Sequence, residues 1–181
     1  MDLLFPTPNW FHTYETILEI LFALVTLFVA FFAFSVFRKS SQKYVFYFGM
    51  GFTMITISYF IQSFLNFVII SKLASDQSLI TKIMSAYALN NIALLAHILF
   101  FTTGLALLLF ITFKEKRLRL LWFLILLPIS VLFISNNTFY TFYLISSIYL
   151  LFITWHYLSI YLKKRTTGQL LVALAFIFLF M

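Results

Sequence analysis

The sequence predicts an all-α fold, a polytopic transmembrane helix bundle, and three observations carry that prediction. Apolar residues make up 64% of the chain and charged residues only 9%, against roughly half and a quarter in an ordinary soluble domain. The apolar residues fall into runs of about 20, the length a helix needs to cross a hydrocarbon core of roughly 30 Å. Ten of the twelve Lys/Arg residues sit in the short connections between those runs. Lipid offers the backbone no alternative hydrogen-bond partners, so such runs are expected as helices. No Pro/Gly/Ser-rich linker and no change of composition divides the 181 residues, so residues 1–181 read as one integral membrane domain.

The first span is expected over 14–37. Trp10, Phe11 and His12 precede it, and Pro6 and Pro8 are expected to keep that lead-in non-helical at the interface. No positive region precedes the first apolar run, as a cleavable signal peptide would require. The second span covers 44–71. In the connection that follows, Leu79, Ile80, Ile83, Met84 and Tyr87 recur at helical spacing, which predicts an amphipathic helix, either interfacial or a forward extension of the third span. The third span is expected over 92–113 and a short fourth over 118–134, in which Pro128 predicts a kink or a break. The fifth covers 139–162, after the turn Asn136-Asn137-Thr138, which also matches a glycosylation sequon.

The sixth segment, QLLVALAFIFLFM over 169–181, reaches the last residue with no polar flank. At 1.5 Å per residue it is roughly 20 Å long and would stop inside the membrane. A C-terminal truncation is the expectation from that ending.

Charge sets the orientation. Arg38, Lys39 and Lys43 follow the first span; Lys114, Lys116, Arg117 and Arg119 follow the third; Lys163, Lys164 and Arg165 follow the fifth. The positive-inside rule places these loops, 38–43, 114–119 and 163–168, in the cytoplasm of a cell-membrane protein and the N-terminus outside. The net charge of +7 then reports topology and attraction to anionic lipid headgroups, not nucleic-acid binding.

Polar groups inside spans are where function is sought, because each is costly in hydrocarbon. Glu15 and Glu19 lie one turn apart near the outer end of the first span, Glu19 about 7 Å below Tyr14 by the helix rise. Gln62 and Asn66 lie about 7 to 14 Å below the outer end of the second span, and His97 about 7 Å inside the third, beneath Asn90 and Asn91. Gly51, Ser58, Gln62 and Asn66 form one stripe of small and polar residues; Asn90, His97 and Gly104 form another at intervals of seven. Such stripes let helices approach closely, so the first three spans are expected to meet along them. Glu19, Gln62, Asn66 and His97, with Glu15, Ser58, Asn90 and Asn91 around them, are the candidate polar network. They either satisfy one another as interhelical contacts or line an outward-opening pocket for a small ligand, a cation or a proton.

Enzyme chemistry is not expected. The three histidines, His12, His97 and His156, lie at different depths and cannot converge as zinc or bis-histidine haem ligands, and no deep carboxylate serves a Ser/His/Asp arrangement. No catalytic site, metal or cofactor is indicated, and cysteine is absent. The 26 Phe residues suit lipid-facing spans and do not indicate a cofactor box.

Over Glu15 to Phe67, an apolar first helix ends in the basic turn FRKSSQK and is followed by YVFYFGMGFTMITISYFIQSFLNF. This resembles the first helix pair of prokaryotic seven-helix membrane sensor modules, such as those at the N-terminus of some histidine kinases, and of uncharacterised archaeal multi-pass proteins. The resemblance covers less than a third of the chain and implies an N-out bundle completed by a seventh helix. A sensory or ligand-binding membrane domain is the leading expectation. A small-solute or ion transporter component and a structural or assembly subunit are the alternatives.

Overall fold

The structure, a computed structural model, describes residues 9–73, 79–113, 117–164 and 176. Those residues form five helices: α1 (Asn9–Ser40), α2 (Lys43–Leu73), α3 (Leu79–Thr112), α4 (Leu118–Ile134) and α5 (Thr138–Lys164). Four contain apolar stretches long enough to cross a membrane: Tyr14–Ser40, Lys43–Val68, Ala88–Thr112 and Thr138–Lys163. The fifth, α4, has 17 residues; at the helical rise this is about 26 Å, a little short of the roughly 30 Å hydrocarbon core. The chain is therefore a helical membrane protein. The sixth expected segment lies outside the described residues except for Phe176.

One local expectation is corrected, and in two others the structure selects between the alternatives. Trp10, Phe11 and His12 belong to α1 instead of a non-helical lead-in, because a proline is tolerated at or just before a helix's first position, where its missing N–H had no partner to lose. The helix expected at 79–87 continues into α3 without interruption. Pro128 sits inside one continuous helix, so the break is not seen.

The turn between α1 and α2 is set by one residue. Ser41 has φ 52°, and its N–H donates to the Phe37 carbonyl at 2.8 Å, closing α1 with the left-handed cap that glycine usually supplies. Gln42 then opens α2, its carbonyl accepting from the Val45 N–H at 3.0 Å. A side chain with a Cβ is strained in that conformation. Ser41→Gly is expected to stabilise the hairpin by about 1 kcal/mol and Ser41→Val to destabilise it by at least as much. Unfolding midpoints from detergent-to-SDS titration check both.

From that turn the first two helices run antiparallel and stay in contact. Phe37 packs on Phe46 at 5.2 Å between ring centres, the Thr26 and Thr56 hydroxyls meet at 2.9 Å, and Phe22 stacks on Tyr59 at 5.7 Å. The buried stripe of α1 is Glu19, Ala23, Thr26, Ala30 and Ala33. Its spacing of four and three keeps it on one face, and its small side chains admit α2 closely. Exposed Phe28, Phe31 and Phe32 lie off that stripe, where hydrocarbon accepts them.

The central helix is α3, with 56% of its apolar window buried against 22% for α1 and α5. It meets α2 at Gly51 and Gly104, where a Cβ on Gly104 would lie 2.7 Å from the Gly51 carbonyl oxygen. On its other side Phe101 packs edge-on against Phe142 of α5 at 5.7 Å. Ile55, Leu105, Leu108 and Ile153 form the closed centre of this core. Phe176, also fully buried, packs between Tyr157 of α5, stacked at 5.3 Å, and Phe52 of α2 at 6.0 Å. Phe176 therefore belongs to the same core.

Candidate functional site

The buried stripe of α1 ends, toward the helix N-terminus, on Glu19. A stripe that faces α2 carries its last member with it, so the carboxylate is buried against α2 instead of facing lipid. Both of its oxygens accept from the Asn66 amide nitrogen, at 3.1 and 3.0 Å. Among the described residues no Lys or Arg reaches it. Among the described residues, the hydrogen-bond partner of the carboxylate is a neutral amide.

Two turns inward from Asn66 a second polar pair joins α2 to α3. Ser58, completely buried, has its hydroxyl 2.7 Å from His97 Nδ1 and 3.0 Å from the His97 carbonyl oxygen. A hydroxyl has one proton to give. Ser58 Oγ therefore either gives that proton to the carbonyl and accepts from Nδ1–H, or gives it to Nδ1 of the Nε2–H tautomer; both arrangements tie the ring to α2. The spacing that produces this pair is regular: Gly51 and Ser58 are seven residues apart on α2, His97 and Gly104 seven apart on α3, and each pair meets across the antiparallel contact.

Tyr59 lies between the two pairs. Its ring stacks on Phe22 of α1 and stands edge-on to His97 at 5.5 Å and Phe101 at 5.9 Å. His97 in turn stacks on Phe101 at 5.4 Å and meets Phe142 of α5 at 5.8 Å. Five rings thus form a continuous aromatic floor beneath the Glu19–Asn66 pair, touching α1, α2, α3 and α5. Tyr59 was not among the residues expected from sequence. Its position seven residues from Asn66, on the α1-facing side of α2, is the signal that identifies it.

The stripe Gly51, Ser58, Gln62, Asn66 does not face one neighbour. Over the fifteen residues from Gly51 to Asn66 a helix of 3.6 residues per turn drifts by about 60°. Its inner members consequently meet α3, and Asn66 meets α1. Gln62, between them, is not in the hydrogen-bonded pairs: its Oε1 is buried with no partner. Asn90 and Glu15 are exposed and Asn91 is half-buried. The expected network is therefore two bonded pairs, Glu19–Asn66 and Ser58–His97, separated by Tyr59 and Gln62.

Further inward, the buried hydroxyls of Thr102 on α3 and of Ser146 and Thr154 on α5 also have no partner. Among the described residues no three His, Asp or Glu side chains come together as a metal site would require. Compared with protein-family models, with curated proteins and with solved structures, the chain matches none.

Proposed function

We propose that this chain is a sensory or ligand-binding membrane domain whose outer polar layer, Glu19, Gln62 and Asn66 above Ser58 and His97, recognises a small ligand and biases the packing of α1 and α3 on α2. The supporting observation is the buried Glu19 carboxylate, answered among the described residues by the neutral Asn66 amide between two helices. An ionisable group at that depth is costly unless it serves a site. The Glu19–Asn66 bond is a polar link between α1 and α2, so a ligand that competes for it shifts an equilibrium between two packings.

In this reading the chain carries six spans in the cell membrane. Its N-terminus lies outside, and the loops at 38–43, 114–119 and 163–168 lie in the cytoplasm beside anionic headgroups. The absence of cysteine makes single-cysteine labelling direct. Asn136→Cys is expected to react with a membrane-impermeant maleimide on intact cells, and Ser40→Cys only after permeabilisation; the reverse pattern rejects the orientation.

The ligand-binding role is tested by screening small solutes for a shift in the thermal midpoint of the chain in nanodiscs. Glu19→Gln and His97→Ala serve as comparators, and spin labels on α1 and α2 report their separation. A solute that stabilises the wild type and moves the labels supports sensing. Equal behaviour of all variants towards every solute, with stability alone altered, assigns the layer to assembly. A transport reading is favoured by one observation, the partnerless Thr102, Ser146 and Thr154 hydroxyls inward of the layer, and solute uptake by proteoliposomes tests it.

A further inference from the structure

The outer layer is rich in acceptors and poor in donors. Glu19 presents two oxygens to one amide nitrogen, 3.1 and 3.0 Å away. One turn inward from Asn66 on α2, Gln62 Oε1 is buried with no donor at all, although a buried acceptor ordinarily finds one. The nearly equal distances place the Asn66 nitrogen on the bisector of the carboxylate, the position a cationic nitrogen takes. A neutral amide there supplies the geometry without the charge.

The floor of the layer is aromatic. Phe22 is three residues from Glu19 on α1, and Tyr59 is three residues from Gln62 on α2; the two rings stack at 5.7 Å, and Tyr59 continues into His97 and Phe101. Ring faces attract organic cations.

We propose that Glu19 and Gln62 bind a primary ammonium group. Its three N–H bonds go to the two Glu19 oxygens and Gln62 Oε1, it displaces the Asn66 amide from the carboxylate, and its organic part lies against Phe22 and Tyr59. The inference rests on the ligand-binding reading above and names the class of its ligand. It also supplies a consequence for packing: the displaced Asn66 releases a polar link between α1 and α2, so occupancy loosens that contact while adding a charge partner to Glu19.

The test uses the full chain in nanodiscs of zwitterionic lipid, in potassium phosphate, with butylammonium chloride as probe and 1-butanol as its neutral counterpart, read by calorimetry and thermal midpoint. Butylammonium is expected to bind and 1-butanol not to. Glu19→Gln is expected to weaken butylammonium at least tenfold. Gln62→Leu, which removes an acceptor the fold does not use, is expected to weaken it severalfold with an unchanged or raised midpoint in the absence of probe, and it carries the test if Glu19→Gln does not fold. Tetramethylammonium, which lacks N–H bonds, is expected to be insensitive to Gln62→Leu. Equal butylammonium affinity in wild type and both variants, or no butylammonium binding to the wild type, overturns the proposal. An equal, Glu19-dependent response to sodium chloride overturns it in favour of an alkali-ion site. If instead a neutral or anionic solute binds and His97→Ala or Glu19→Gln abolishes that binding, the ammonium inference fails while the ligand-binding reading stands.

Discussion

Gly104→Val is expected to force α2 and α3 apart and to lower the unfolding midpoint more than any other single change in the bundle. A Cβ at this position would lie 2.7 Å from the Gly51 carbonyl oxygen, 2.7 Å from Ile55 Cγ1 and 3.2 Å from the Ile55 nitrogen. Two of those three atoms are backbone, so no rotamer change relieves the overlap. Overpacking a tight contact costs about 1–3 kcal/mol and sometimes more; Gly104→Ala falls in that range and the branched valine beyond it. Gly49→Ala is the control. Its Cβ would meet only the Phe34 ring, at 3.0 to 3.2 Å, and a half-buried ring at the lipid boundary can turn aside. SDS-titration midpoints for the three variants measure the difference, and equal midpoints for Gly104→Val and wild type would contradict the close crossing. Ser58 and His97 stand two turns away along the same contact, so separation at the glycines also pulls the Ser58–His97 pair apart.

Tyr149→Phe is expected to cost about 1–3 kcal/mol, the price of a buried acceptor left without a donor, and to do so only while Pro128 is present. Proline has no N–H, so the carbonyl four residues earlier loses its helical partner. That carbonyl belongs to Leu124, and it accepts from the Tyr149 hydroxyl of α5 at 2.8 Å. In hydrocarbon no water takes over the role. Both Pro128 and Tyr149 are buried, and the bond ties α4 to α5. A double-mutant cycle isolates the effect. Pro128→Ala restores an N–H for Leu124, so Tyr149→Phe should become nearly silent in that background, with a coupling of about 1 kcal/mol or more. Additive costs would mean that Tyr149 acts by packing alone. The same bond explains why α4 continues through its proline: the orphan carbonyl is satisfied from a neighbouring helix.

Helix ends flanked by basic residues were readable because they are marked locally. Arg38 and Lys39 close α1, Lys43 opens α2, and α4 runs from Leu118 to Ile134 as its apolar run does. The starts of α1 and α3 were harder. α1 begins at Asn9 and α3 at Leu79, because interfacial sequence of mixed polarity carries helix as readily as loop, and apolar content does not report where a helix starts beyond the hydrocarbon. At Asn137 a local signal was decisive: its side-chain oxygen accepts the Tyr140 N–H at 3.2 Å and caps α5, the usual role of asparagine before a first helical turn.

The candidate site divides in the same way. That Glu19, Gln62, Asn66 and His97 sit in the outer half of their helices follows from counting residues at a fixed rise, and composition alone makes the chain a helical membrane protein. Which of them meet could not be counted. The stripe on α2 turns by about 60° between Gly51 and Asn66, and only the positions of α1 and α3 around α2 decide that Ser58 goes to His97 while Asn66 goes to Glu19. Gln62 stays unpartnered for that reason, and Tyr149 finds Leu124 across 25 residues for a similar one. Apolarity and charge act on each segment separately and are written in the chain. Pairing depends on the relative rotation of packed helices, which the glycine crossing and the small-residue stripe of α1 set together.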